Sequence, residues 1–367
     1  MRTSSVGRFA ALLGVLLAAG VSGLGAASKA PYPPSPVIAG VEFDFRAHRR
    51  LAPGSDNWPV TWADDDRLYT AWGDGGGFGG TNGDGRVSLG VARVEGGPRD
   101  YRGQNVWGGK AAEHPAQFPG KSYGLLSVAG VLYMWVETAE AARPRTYRLA
   151  HSTDHGATWS RSKWSFRPED DLTTPTFLNF GRDYRGARDG YVYVYLVAPT
   201  YVRGGPSRRF ALRRPGRIYL ARAPKERILD RSRYEFLSGF GKGHRPTWSA
   251  KQQEKRPVFA DPNGVGWSVS VSYNAGLRRV LLCTEHETTM RGKFGLFDAP
   301  EPWGPWTTVA YEDGWGRGKV EVSAFYWNFA NKWVSKDGRR FTLVFTGINS
   351  NDSWNTVAGR FRLRKRD

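Results

Sequence analysis

The stretch STDHGATW, residues 152–159, places Ser152, Asp154, Gly156 and Trp159 at offsets that a plain loop does not need. An aspartate can accept hydrogen bonds from the amides of its own turn. A glycine supplies a backbone with positive φ. A tryptophan at the exit packs beneath the turn as an apolar plug. The pattern predicts a tight hairpin between two strands, with Asp154 and His155 structural.

Outward from this turn the chain reads as all-β. It is 14 % aromatic, with 15 Trp, 46 Gly and 22 Pro, so aromatic strands broken by turn residues outweigh helical periodicity. PKERILDRSRYEFL (224–237) is the one mildly helical segment. Five runs share a shape: DDRLYTAWGDG, AGVLYMWVETA, DGYVYVYLVAP, GLRRVLLCTEH and DGRRFTLVFTG, centred near Tyr69, Tyr133, Tyr193, Leu281 and Leu343. Each opens on a tight polar turn, continues as a strand and ends at a polar residue. A further strand precedes and a third follows each. A unit recurring roughly every 60 residues predicts a five-bladed β-propeller. The longer fourth interval holds a basic, Pro- and Gly-rich insertion at 202–217 and the segment 239–256. The alternatives are a seven-bladed propeller, for which two blades are missing, and a β-sandwich, which has no reason to repeat in this way.

The N-terminus sets compartment. Arg2 and Arg8 precede an apolar run, Phe9 to Val21, followed by small residues near Ala27. This order predicts a signal peptide over 1–27, a single domain over 28–367 and a secreted or periplasmic protein. A short membrane anchor is the alternative. No later segment is apolar enough for a span. Cys283, the single cysteine, lies in an apolar run and reads as a buried thiol. The formal charge is +19, about +17 without Arg2 and Arg8. Such a surface attracts polyanions. No nucleic-acid-binding signature is present, so a polysaccharide, anionic in one reading, is the expected partner, and a monomer is expected.

Ser-x-Asp-x-Gly-x-x-Trp resembles the Asp-box of sialidase-like propellers. SDNWPVTWADDDRLYTAWGDGGGFGG, KSYGLLSVAGVLYMWVE, RPVFADPNGVGWSVSVSYNAGLRRVLLCTEH and FYWNFANKWVSKDGRRFTLVFTG together resemble a family of exported bacterial propellers of formerly unknown function, over residues 38 to 363. Some members or close relatives are glycoside hydrolases of the endo-D-arabinanase type. The resemblance implies a carbohydrate-active enzyme. Other propellers with similar Asp-boxes are polysaccharide lyases.

In a propeller, residues that begin the first strand of each blade, or end the second, converge on one mouth of the central channel. That rule selects Asp56, Asn57 and Asp74, then Lys121, Ser122, Tyr123 and Glu137. It continues with Asp171, Thr173 and Thr174, then Arg256, Glu285 and His286, and finally Asn328, Lys332 and Asn349, with Glu321 upstream. Glycoside hydrolysis needs two carboxyl groups, one to protonate the leaving oxygen and one to activate water or attack carbon. Asp56 and Asp74 are the lead pair, with Glu137 and Glu285 as further acids. Glycines after Asp74 are expected to let substrate approach the backbone. Trp58, Tyr123 and Trp327 are candidates for stacking on sugar rings, and Lys121, Arg256, Asn328, Lys332 and Asn57 for orienting them. A lyase would instead need a cation and a base, drawn from Lys121, Arg256, Tyr273, His286 and His114. A non-catalytic glycan-binding propeller is the third reading. No cofactor is assigned. ADDD (63–66) and TNGDG (81–85) are oxygen-rich candidates for a structural calcium, without EF-hand spacing.

Overall fold

The computed structural model describes residues 29–138, 145–199, 212–320, 324–347 and 352–365. The signal segment 1–27 and most of the 202–217 insertion lie outside them, as do Glu321 and Asn349. The described chain is strand throughout, with only three-residue helical turns, and no described helix is long and apolar enough to cross a membrane.

Four sheets form. The first is β2 (Val60–Trp62), β3 (Leu68–Trp72), β4 (Gly90–Glu95) and β5 (Arg102–Trp107). The second is β6 (Lys121–Val128), β7 (Val131–Thr138), β8 (Thr146–Ser152) and β9 (Ser160–Phe166). The largest joins two antiparallel meanders. One meander begins β10 (Thr173–Asn179), β11 (Tyr191–Val197), β12 (Gly216–Pro224) and continues through β13 (Glu235–Phe240) and β14 (Pro246–Ser249), while β15 (Pro257–Asp261) pairs back on β12. The other is β16 (Ser270–Asn274), β17 (Arg279–Glu285), β18 (Phe294–Ala299) and β19 (Thr307–Glu312). They meet where β10 and β16 pair in parallel, Leu178 opposite Val271. The segment with helical character, 224–237, is two short turns running into β13.

The last sheet closes the ring. β20 (Ala324–Phe329), β21 (Arg340–Gly347) and β22 (Ser353–Leu363) are completed by β1 (Ile38–Leu51), which pairs antiparallel with β22 from Ile38 opposite Leu363 to Leu51 opposite Trp354. Stitching the N-terminal strand to the C-terminal one removes two free edges.

The 152–159 turn joins β8 to β9 as the spacing predicts. Asp154 Oδ1 accepts from the Ser152 hydroxyl (2.7 Å) and the Thr158 amide (2.9 Å), and Oδ2 from the Thr158 hydroxyl (2.6 Å). Gly156 has φ +91°, and its carbonyl accepts from Trp159 Nε1 at 2.9 Å. The Trp159 ring is buried among Val91, Leu132 and Met134, between the first and second sheets. His155 reaches across to Asp64, Nε2 to Oδ1 2.9 Å. Asp154→Ala strips acceptors from this turn and is expected to lower stability by about 1–3 kcal/mol, which urea melts of parent and variant check.

The first strands of the meanders meet along the axis. Thr61 Oγ1 donates to Asn179 Oδ1 (2.7 Å) and accepts from the Ser127 amide (3.0 Å), which ties β2, β10 and β6 together. Higher up, Tyr326 of β20 donates from its hydroxyl to the Tyr123 carbonyl at 2.6 Å. Tyr326 is fully buried with φ +53°, a conformation that costs an aromatic residue free energy and is retained where packing over-determines it. It fills the axis as a floor.

The two ends of the axis differ. At one, turns are sewn together: Arg182 donates to the Asp64 carbonyl (2.6 Å), Asn331 to the Tyr273 carbonyl (2.9 Å) and Asn274 to the Gly338 carbonyl (2.8 Å). At the other lies a cluster of charged side chains.

Candidate active site

The β2–β3 turn, with Asp64 to Asp66, sits at the sewn end. The same ladder therefore carries Asp56, bridged to Gly73, to the opposite end. Asp74 follows, with φ +54°. The second sheet brings Lys121 there, opposite Glu137 in the β6–β7 register. Lys121 Nζ lies 2.6 Å from Asp74 Oδ1, and the Arg86 guanidinium lies 3.2 Å from the same oxygen. Asp74 is thus a carboxylate held between two cations. Gly73 makes room for the approach: a Cβ there would lie 2.8 Å from Asp56 Oδ1 and 2.9 Å from Lys121 Nζ.

Asp56 has a different environment. Its partner is a neutral amide, Asn57 Nδ2, at 3.0 Å. Burial pushes its carboxyl up to about 7, with Lys121 and Arg86 pulling down and Asp352 and Asp74 pushing up. Asp352, just before β22, is raised to about 6 by burial and by Asp74. Glu137 is buried, paired with Arg145 at 3.2 Å. Burial raises its carboxyl, while Arg145, Lys121 and hydrogen bonds from Tyr123 and Tyr147 oppose the rise. Neighbouring carboxyl groups with unequal environments are what general acid and base chemistry requires.

The cluster thus unites Asp56, Asn57, Asp74, Lys121, Tyr123 and Glu137 from the sequence-level set, over the Tyr326 floor. Thr173 and Thr174 open β10 at the same end. Thr173 donates to the Val197 carbonyl (2.8 Å), whereas the buried Thr174 hydroxyl has no protein partner. The first strand of the last sheet carries Asn328, whose amide is turned to the Tyr326 carbonyl (3.1 Å).

The other expectations need correction. Trp58 is fully buried against Trp72, Phe78 and Trp354, so it is core and no stacking wall. Trp327 is likewise core, packed on Phe294 and Trp315. Tyr273 and Lys332 belong to the sewn end. Tyr273 packs on Phe180, and Lys332 Nζ pairs with Asp66 at 3.0 Å. Arg256 is exposed beyond β14, its amide bonded to the Leu237 carbonyl. His286 has no exposed surface. It stacks on Tyr311 at 3.8 Å, and burial lowers its pKa to about 4. Its neighbour Glu285 is buried, raised to about 8, and takes hydrogen bonds from Thr289 and Met290. His114 and Asp171 are exposed and lie outside the cluster.

The glycine run after Asp74 also differs from expectation. A Cβ at Gly76 would lie 2.1 Å from the Asp84 carbonyl oxygen, so close packing inside the protein, not access for a ligand, demands glycine there. Asn105 holds this loop by donating to the Gly76, Phe78 and Lys110 carbonyls. Each ADDD carboxylate takes at least one protein donor, and Asp64, Asp65 and His155 still bring one ligand atom each within 4.8 Å of one another. Asp64 accepts from His155, Asp65 from Arg67 and Tyr69, and Asp66 from Trp62 and Lys332. In the TNGDG turn Asp84 pairs with Lys110 at 2.9 Å.

Arg86, Asp352 and Tyr326 escaped the sequence reading. Asp352 follows the end of β21 as Asp74 follows the end of β3, a few residues later than the rule looked.

Among solved structures, the chain is similar to RS223 β-xylosidase, with 11 % identity over 86 % of this chain and 97 % of that one and a TM-score of 0.50. A GH43_1 enzyme from Xanthomonas citri gives 13 % identity, 88 % and 94 % coverage and a TM-score of 0.49. The endo-arabinase from Bacteroides thetaiotaomicron gives 10 %, 91 % and 98 %, and 0.48. At these identities the likeness is one of fold, a β-propeller. No curated protein matches the chain in sequence. The sequence model of DUF4185, a domain of unknown function, matches residues 123–357. That match spans more than half of the sequence, and the chain belongs to the DUF4185 family.

Proposed function

We propose that the protein is an exported glycoside hydrolase that cleaves a polysaccharide, arabinan-like or acidic, at the Asp56–Asp74 mouth. The two meanders of the largest sheet count as separate blades in this reading, which gives five. The observation that carries it is the asymmetry of the pair. Asp56, with its carboxyl near 7, keeps a proton to donate to the leaving oxygen. Asp74, ion-paired with Lys121 and Arg86, serves as the carboxylate that activates water or attacks carbon. Asn57 orients Asp56, and Glu137 with Tyr123 lines the opposite wall. The fold neighbour at TM-score 0.50 is named a β-xylosidase, which agrees with glycoside chemistry without naming this substrate. Elimination is disfavoured, since His286 is enclosed and Tyr273 lies at the far end.

The test is incubation of mature protein with arabinans, arabinogalactan, pectins and uronate polymers. Reducing ends and the ultraviolet absorbance of unsaturated uronates are read together. Reducing ends without the absorbance are expected. Absorbance rising with reducing ends would make it a lyase, and glycan binding with neither signal a binding module.

Lys121→Met removes a cation that lowers the Asp56 pKa. The alkaline limb of the pH–kcat/KM profile, set by loss of the acid's proton, is expected to move up by about 1 pH unit, with reduced maximal rate. A profile recorded from pH 5 to 9 reads the shift.

A further inference from the structure

The ladder between β1 and β22 is broken in one place. Asp44 lies opposite Ala358, but the next pair is Arg49 with Thr356. β1 therefore carries extra residues, Phe45 to His48, as a broad bulge on the seam that closes the ring. Bulges of this kind re-aim side chains at sheet edges. Here the bulge forms one wall of a crevice of about 1110 Å³, bounded on the other side by Pro98 and Arg99 of the first sheet and by Trp333 to Ser335.

The crevice is strongly basic. Arg46, Arg49, Arg99, Arg340 and Arg360 line it against Glu42 and Asp44 alone. Arg360 is matched with Glu42 (2.6 Å) and Arg46 with Asp44 (2.9 Å). Arg49 spans the seam. It donates to the Arg99 carbonyl at 2.8 Å and lies 4.1 Å over the Tyr101 ring, so the two walls are held in place. Arg99 and Arg340 are exposed, and no described acid pairs with either side chain. The crevice lies away from the carboxylate mouth, because Lys332 in its wall is paired with Asp66 of the sewn end. A preformed cleft with more guanidinium groups than carboxylates concentrates anions, even with Asp337 offsetting Arg340 at longer range.

We propose that this crevice binds the anionic groups of a polysaccharide chain, as a second site that holds the protein on an acidic polymer while the mouth does the chemistry. The partner class rests on the reading above that the protein acts on a polysaccharide, and the chain's net charge of +19 suits the same partner.

The experiment measures binding of dextran sulfate and of neutral dextran across a salt series, in an Asp56→Asn background so that turnover plays no part. Three proteins are compared: the parent, Arg99→Glu/Arg340→Glu, and Lys163→Glu/Lys242→Glu, which removes equal charge from exposed positions elsewhere. Dextran sulfate should bind the parent and neutral dextran should not. The crevice variant should lose affinity by about tenfold or more, and the control by less than about threefold. Equal losses in both variants would show diffuse surface charge and overturn the proposal. So would no binding by the parent, or crevice-dependent binding of duplex DNA tighter than that of dextran sulfate. In the Asp56-intact protein, the crevice variant should retain its kcat on a neutral glycan. Hydrolysis and anion binding can therefore fail separately.

Discussion

Asp74→Asn is expected to lower kcat on the cleaved polysaccharide by about 10³-fold or more, the scale on which removing an essential acid–base or nucleophilic group acts. KM should change far less. Asn is nearly isosteric, so Lys121 and Arg86 keep an oxygen to approach but lose its charge. The fold should survive, because the Asp74 side chain is 37 % exposed and the Asp56–Gly73 bridge precedes it. Purified variant with wild-type circular dichroism and near-zero reducing-end release is the expected pair of results. A variant within a few-fold of wild type would remove Asp74 from the chemistry.

Asp56→Asn is expected to do two opposite things. Activity should fall on a similar scale, since an amide has no proton to give. Stability at pH 8 should rise, by about 2–4 kcal/mol. The sign follows from linkage. In the unfolded chain an aspartate titrates near 3.9, and in the fold Asp56 titrates near 7 because burial disfavours its charge. Between these values the folded state holds a proton that the unfolded state has lost. The stability this group contributes is therefore full below about pH 4 and declines as pH rises through 7, to a total loss of about 4 kcal/mol. Asn cannot ionise, and its side-chain oxygen can still accept from Asn57. Parent and variant should melt alike at pH 4, diverge progressively between pH 4 and 7, and stay apart at pH 8, with the variant higher. Thermal unfolding at pH 4, 6 and 8 reads this directly. A variant that melts lower at pH 8 would mean that the charged carboxylate is stabilised in the fold. Such an exchange of stability for activity is what a strained functional group costs.

Much of this geometry was legible in residue order. Turn, strand and third strand are local signals, and Asp154 with Gly156 and Trp159 marked one hairpin to the residue. The channel-mouth rule gathered Asp56, Asp74, Lys121, Tyr123 and Glu137, because strand ends converge wherever strands radiate from an axis. What the rule lacked was side-chain direction. Trp58 and Trp327 stand close in sequence to mouth residues but point into the cores between sheets, as strand alternation allows for any neighbour. Closure was equally hidden. β1 pairs with a strand some 300 residues later, and nothing local to IAGVEFDF names its partner. Asp352 reaches the mouth by the same closure, from a loop with no motif of its own. The glycine run suggests access in sequence but serves contact in the fold, because Asp84 and Trp72 occupy the space a Cβ would need.

The most direct test of the acid–base account is the pH dependence of kcat/KM on the polysaccharide that the wild type cleaves, recorded beside Asp56→Asn. The account predicts a profile that falls on its alkaline side with a midpoint near 7, and turnover in the variant lower by about 10³-fold or more at every pH. Activity undiminished at pH 9, or a variant within a few-fold of the wild type, would contradict it and place the acid elsewhere in the mouth.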